Sequence, residues 1–467
     1  MKQHVLFSSI FDFTRLQHAV AEALLARGYE VYWITTNNYW TRWLRDQGVA
    51  EDQLLELIFT EGDFLSDVEL RAVQEEIVVC ERTSDLTVNE VLLMDRFVRF
   101  RRLAHINQYV ALYYQHIKRF FIDREITCVF AEPTNLNELL TYLICRELNI
   151  PFRAPWDLRY PARRLIFTSG YHLNDIVSPG DGPGRRSGKE LLEEFQRRQV
   201  RPHYFERNTK SRPITMKKLL SAARNRITRR QVTAQPSLTH HHVTERARLM
   251  LRRTINSFYL RHVLKCSDLD SISGRIAFYG LHVQPENSID VQGSYVSDQI
   301  KLIADIRRAL PFDFTLVVKE HPNFLGIRGP DFFRRLRELP NVSIVRYDVS
   351  SFDIYDRADL VLTVSGTLAY EAAMLGTPAV TFSPMYFGQL SSVYYCPEIS
   401  GLRELVRNIV SNHRRDFDRD CAVIERLVGQ SYEAHWTDPY NDPSVLEPDN
   451  VKHLQHAFVD MVEHDAD

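Results

Sequence analysis

The sequence predicts an α/β protein of two successive parallel-sheet units, helices on their faces, with a basic helical segment between them. Three observations carry that reading. The chain has 467 residues, which favours two large domains or three small ones. Residues 4–36 run from apolar strand-like stretch to amphipathic stretch to β-branched stretch. The same alternation returns from 275 to 382 in strand-length and helix-length pieces.

In order, HVLFSSI (4–10) reads as a strand, and RLQHAVAEALLARG (15–28) as a helix with Leu16, Val20, Ala23 and Leu24 on one face and Gly28 as its stop. YEVYWITT (29–36) is the second strand of this β–α–β opening. Residues 66–122 read as long helices. ITCVFAE (126–132) is an apolar strand ending in a carboxylate, NLNELLTYLICRELN (135–149) its helix and IPFRAP (150–155) the next strand start. SPGDGPGRRSGK (178–189) is turn-rich and marks a boundary.

After the boundary, MKKLLSAARNRI and ERARLMLRRTINSFYLRHVL read as helical. The second series then has strands at RIAFYGLH (275–282), DFTLVVKE (313–320), VSIVRY, DLVLTV (359–364) and PAVTF (378–382). Helices lie between them, the last being TLAYEAAMLG (367–376). A loop-like tail from about 430 leads to one final helix. The expected domains are therefore 1–190, a basic insert 191–268, 269–430, and a tail 431–467.

Hydrophobic residues make 44% and charged residues 25% of the chain, which excludes disorder as the main state. Collagen-like and coiled-coil readings fail on 18 glycines and no sustained heptad. The net charge is −2, yet Arg197 to Lys265 holds 18 Lys/Arg against 2 Asp/Glu, so the remainder is acidic. Six isolated cysteines, with no CxxC pair, argue against a disulfide framework or zinc ribbon. No signal-peptide pattern and no apolar run near ~18 residues is present. A cytoplasmic protein is expected.

In stacked α/β units, ligands bind beyond the carboxyl ends of the strands. Three such junctions stand out. In LTVSGTLAYEAAMLGTPAVTF (361–382), Ser365, Gly366 and Thr367 open a helix whose free N–H groups and dipole suit an anion. Glu371, one turn in, is placed to accept ribose hydroxyls. The ordinary alternative is a β–α turn with a solvated glutamate. In VVKEHPN (317–323), Pro322 biases His321 to extended backbone, so its ring is aimed out of the strand end toward a phosphate; Lys319 flanks it. The alternative is a surface His–Pro turn. In LHVQPENSID (281–290), Gln284, Glu286, Asn287, Ser288 and Asp290 form a polar loop that touches a nucleotide or sugar, or caps a helix. All three loops should share one sheet edge.

YGLHVQPENSIDVQGSYVSDQI, VVKEHPNFLGIR and SGTLAYEAAMLGTPAVTF resemble the bacterial capsular polysaccharide biosynthesis proteins, relatives of the inverting Kdo transferases. FAEPTNLNELLTYLICRELNIPFRAPWDLRYPARRLIF (130–167) is similar to the same family's N-terminal half. The basic insert has no counterpart. The resemblance implies a GT-B architecture, two Rossmann-like domains facing a cleft, the nucleotide-sugar held by the C-terminal one. It implies that His321 contacts the donor phosphate and that Ser365, Gly366 and Thr367 bind it at the helix start. Glu371 would hold the ribose, and Gln284, Glu286 and Lys319 would line the donor side.

An inverting transfer needs a general base. Glu132 at the end of ITCVFA is the candidate, with Asp12 and Glu138 as fallbacks. A capping or Arg-paired role is the plain alternative for Glu132. No metal and no cofactor beyond the nucleotide-sugar co-substrate is expected.

The expected activity is transfer from a CMP-sugar such as CMP-Kdo to a surface glycan or its lipid carrier. The alternatives are a CDP-glycerol-type polyol-phosphate transferase, a UDP-sugar epimerase, or a non-catalytic scaffold of glycan assembly. Residues 197–265 would lie on anionic lipid at the inner membrane face or be solvated helices; nucleic acid is not an expected partner. The triplet His240–His242 reads as a loop.

Overall fold

The computed structural model describes residues 3–97, 101–197 and 243–466. The first domain holds β1 (His4–Ser8), β2 (Glu30–Thr35), β3 (Leu54–Glu56), β4 (Cys128–Phe130), β5 (Phe152–Leu158) and β6 (Arg164–Thr168), in the order β3-β2-β1-β4-β5-β6. The second holds β7 (Arg275–Gly280), β8 (Phe314–Lys319), β9 (Val342–Val345), β10 (Ala358–Thr363), β11 (Ala379–Thr381) and β12 (Val393–Tyr395), in the order β12-β11-β10-β7-β8-β9. Every pairing is parallel except β5–β6, an antiparallel edge that the sequence pattern did not reveal. Both orders reverse once, between β1 and β4 and between β7 and β10. That is the doubly wound Rossmann-like arrangement, whose ligand crevice lies at the reversal point.

The local reasons are ordinary. Central strands covered on both faces carry continuous apolar runs, as in β7, where only Arg275 is not fully buried. Helix Leu136–Leu148 starts at a capping box of Asn135 and Glu138 and stops at Asn149 in the left-handed conformation, φ 54°. Helix Thr367–Leu375 stops at Gly376, φ 88°.

The chain crosses between the domains twice. Helix Gly188–Gln196 spans the expected boundary at 190 and puts Leu191, Leu192 and Phe195 into the core of the second domain. The final helix, Pro448–Ala466, returns to the first domain. There Phe458 meets Phe130 at 4.7 Å and Phe167 at 4.9 Å between ring centres. Arg153 Nε donates to Asp465 Oδ2 at 2.9 Å.

Of the basic segment, MKKLLSAARNRI and His240–His242 lie outside the described residues. Helix Val243–Phe258 docks on the loop after β8, with Arg253 Nε donating to the Leu325 carbonyl at 3.2 Å and Asn256 to the Gly326 carbonyl at 3.1 Å. Glu245 pairs with Arg101 of the first domain at 3.0 Å. Among the described residues no helix is long and apolar enough to cross a membrane.

Candidate functional site

β10, β7 and β8 are neighbours, so the three polar junctions that follow them do share one carboxyl edge. At its centre, His282 Nε2 accepts the Val364 N–H at 3.0 Å and lies 2.8 Å from Thr363 Oγ1. Thr363 Oγ1 accepts the Gly366 N–H at 3.1 Å. Gln299 clamps the backbone of His282 from both sides, at 2.8 and 3.2 Å. Burial, with Arg328 and His321 close by, holds the His282 pKa down at about 3, so the ring is neutral. A Cβ on Gly366 would stand 2.4 Å from Thr363 Oγ1 and 3.3 Å from His282 Cε1. Only glycine fits there.

The predicted donor residues fall into two groups. His321, Glu286, Ser365, Gly366, Thr367 and Glu371 lie at or just behind this edge. Ser365 Oγ donates to the Ser288 carbonyl and so ties the β10 loop to the β7 loop. Burial, then Lys319 and Arg328, lower His321 to about 4. Glu371 is buried under the helix start, where Tyr355 donates to Oε2 at 2.9 Å and burial raises its pKa to about 8.

Gln284 and Lys319 hold the loops instead. Gln284 donates to Asp290 Oδ1 at 2.5 Å and to the Ser297 carbonyl at 3.0 Å. Lys319 Nζ donates to the Val349 carbonyl at 3.0 Å and to Ser351 Oγ at 2.6 Å. Burial lowers its pKa to about 8.

Sequence reasoning assigned no role to His282, Arg328 or Glu320. Arg328 Nη1 donates to Glu320 Oε1 at 2.6 Å and Nη2 to the His282 carbonyl. Glu320 Oε1 also accepts the His321 N–H at 2.8 Å. This buried pair fixes the loops after β7 and β8 to each other. Glu320 Oε2 and both amide atoms of Asn287 are buried with no protein partner, which marks them as polar groups open to water or ligand.

The first domain brings its own carboxyl edge alongside. Glu132, two residues beyond β4, accepts Trp436 Nε1–H at 2.6 Å. Burial raises its pKa to about 8 against that bond, helped by Glu138, Asp438 and Asp157. Trp436 N–H donates to Asp157 Oδ1 at 3.1 Å, so the returning C-terminal segment organises both carboxylates. Glu138 accepts from Asn137 at 2.7 Å and Ser8 at 3.3 Å. With Ser9, Asn37 and Trp40 it lines a small cavity beside the β1/β4 reversal; its pKa is raised to about 7, chiefly by burial. Asp12 precedes helix Phe13–Ala26 without making a side-chain cap bond. Contacts across the domains include Arg96 Nε to the Pro285 carbonyl at 3.2 Å and Tyr370 OH to the Tyr160 carbonyl at 2.8 Å.

No protein-family model matches the chain, and no curated protein matches it. Solved structures similar in fold include UDP-GlcNAc 2-epimerase from Methanocaldococcus jannaschii, 12% identical with TM-score 0.26, over 92% of this chain and 98% of that one. The KpsC β-Kdo 2,4 transferase of Thermosulfurimonas dismutans is 15% identical with TM-score 0.31, over 64% and 79%. A glycosyltransferase from Rickettsia africae is 10% identical with TM-score 0.29, over 100% and 99%. The two-domain, GT-B-like α/β fold is established by the strand order and register of the chain itself.

Proposed function

We propose that the protein is an inverting glycosyltransferase of surface polysaccharide synthesis, using a CMP-sugar such as CMP-Kdo. The observation that carries this reading is the convergence of His321, the helix start at Ser365–Thr367 and Glu371 on the edge formed by β10, β7 and β8. Glu132 supplies a carboxylate from the first domain. Together these are the parts such a transfer needs: an anion site, a ribose acceptor group and a base.

In this mechanism the donor phosphate binds the helix start and His321, whose pKa rises as the anion arrives. Glu371 exchanges Tyr355 for a ribose hydroxyl. Glu132 takes the proton of the acceptor hydroxyl, and that oxygen attacks the anomeric carbon as the CMP oxygen departs. A carboxylate whose pKa lies near the working pH is suited to this task. Gln284 and Lys319 support the site by holding its loops, and Glu286 lines it. The transfer uses no metal or further cofactor. The basic segment places the enzyme on the anionic inner face of the membrane, where lipid-linked acceptors reside.

The test is incubation of the full chain with CMP-Kdo and a lipid-linked or surface-glycan acceptor, followed by NMR of the product. Release of CMP with a linkage of inverted anomeric configuration is expected. A retained configuration, or epimerisation of UDP-GlcNAc in place of transfer, would overturn the proposal.

A further inference from the structure

Met250, Leu251, Ile255, Phe258 and Val263 are each more than half exposed. Single apolar side chains are ordinary on a protein surface, whereas a contiguous group of them marks an interface. Leu251, Ile255 and Phe258 stand at i, i+4 and i+7 of helix Val243–Phe258, so they line one stripe along it. Asn256 lies on the opposite, docked side and is 5% exposed.

The helix is firmly seated on that docked side. Asn256 donates to the Gly326 carbonyl at 3.1 Å and Arg253 Nε to the Leu325 carbonyl at 3.2 Å. Gly326 has φ 87°, and a Cβ there would stand 2.1 Å from the Arg253 carbonyl oxygen, so the close approach of loop and helix requires glycine. Leu260 and Leu264, just past the helix, belong to the apolar core of the second domain. Near its start, Glu245 pairs with Arg101 of the first domain at 3.0 Å. The outward stripe is therefore a fixed feature of the surface.

Charge selects what covers it. Residues 243–265 hold six Lys/Arg and a single acid, Glu245. By helical spacing Arg248 and Arg252 sit along one side of the stripe, and both are exposed; Arg261 and Lys265 extend the exposed basic surface beyond the helix end. Residues 198–242 carry 11 Lys/Arg and one acid, and a second copy of the helix would bring the same cations, so both are repelled. An anionic lipid surface offers the two things this face asks for: negative charge at the level of the guanidinium groups and apolar depth beneath it.

We infer that helix Val243–Phe258 is an in-plane membrane anchor, its Leu251, Ile255 and Phe258 entering the acyl boundary of an anionic leaflet while Arg248 and Arg252 meet the headgroups. The inference rests on the membrane placement proposed above and deepens it; the donor-site reading plays no part in it. Charge alone held the enzyme at the membrane in that reading. Here buried apolar area adds a contribution that salt does not screen. The same helix grips the loop that leaves β8 after His321, so seating it in the bilayer also fixes the orientation of the β10–β7–β8 edge.

The experiment floats the full chain with vesicles of phosphatidylcholine plus phosphatidylglycerol, and of phosphatidylcholine alone, at low and high salt. The variants are the triple Leu251→Gln, Ile255→Gln, Phe258→Gln and the double Arg248→Gln, Arg252→Gln. All change exposed side chains, so each should melt with the wild type. The wild type should bind the mixed vesicles and keep part of that binding at high salt. The triple variant should bind about a hundredfold more weakly, as three apolar side chains stay in water, and should lose the salt-resistant part. The double variant should lose about thirtyfold, on the order of two headgroup charges, and keep the salt-resistant part. A triple variant that binds like the wild type would overturn the anchor and leave charge-based placement standing. A wild type that binds neither vesicle would overturn the anchor and that placement together. A wild-type dimer that the triple variant splits, with no lipid binding by either, would assign the stripe to a second copy and overturn the anchor too.

Discussion

His282 Nε2 and Thr363 Oγ1 lie 2.8 Å apart, joining the ends of β7 and β10 at the point where the strand order of the second sheet reverses. The contact closes the gap between the two strand ends beneath the proposed nucleotide site. It is also the reason position 366 is glycine. Gly366→Ala forces a Cβ to within 2.4 Å of Thr363 Oγ1. The expected cost is ~2 kcal/mol of stability from overpacking, with loss of nucleotide binding. Gly401→Ala, with open space around the added methyl, should change neither; thermal denaturation and calorimetry check both.

In the proposed mechanism Glu132 sets the pH dependence of transfer. With its pKa raised to about 8, activity should climb with pH through that value as the base deprotonates. Glu132→Gln should lower the rate by about 10²–10⁴-fold with CMP binding intact. Trp436→Phe removes the hydrogen bond that favours the charged form, so the rising limb of the kcat/KM profile should move to higher pH. A limb that stays in place would separate Glu132 from the chemistry.

Glu371 makes a stability prediction with a definite sign. Its folded-state pKa is raised from 4.5 to about 8, so the native state binds the extra proton in that window. Stability contributed by the neutral carboxyl is therefore lost as pH rises from 4.5 toward 8. Glu371→Gln should flatten that decline in Tm measured between pH 5 and pH 8. His282 and His321, lowered to about 3 and about 4, act in the opposite direction: they are buried neutral, and stability is lost as pH falls below 6.5.

The C-terminal helix should behave as part of the first domain. Phe458 packs among Phe7, Phe130 and Phe167, so Phe458→Ala should cost about 3–5 kcal/mol. Hydrogen exchange should show the loosening at β1 and β4 rather than in the second sheet.

The strands from 275 to 364 were legible because a parallel strand covered on both faces carries a continuous apolar run, and β7, β8 and β10 have theirs at Ile276–Tyr279, Leu316–Val318 and Leu360–Leu362. The convergence of their loops followed from that alone. β6 was not legible: its pairing with β5 is antiparallel and at an edge, with no distinguishing pattern. The direction of Lys319 depends on Val349, in the loop after the neighbouring strand β9, and on Ser351, which opens the helix Ser351–Tyr355 that follows it. The bond from Trp436 to Glu132 joins positions 304 residues apart, and the bond from Tyr370 OH to the Tyr160 carbonyl crosses between the domains. Such relations are properties of the assembled fold, and no local spacing encodes them.

The most direct test of the proposed donor site is calorimetric titration of CMP, CDP, UMP, UDP and GDP into the wild type and into His321→Ala. Selective binding of CMP that weakens in His321→Ala is the predicted result. Equal CMP affinity in the two proteins, or selective binding of UDP, would contradict the account.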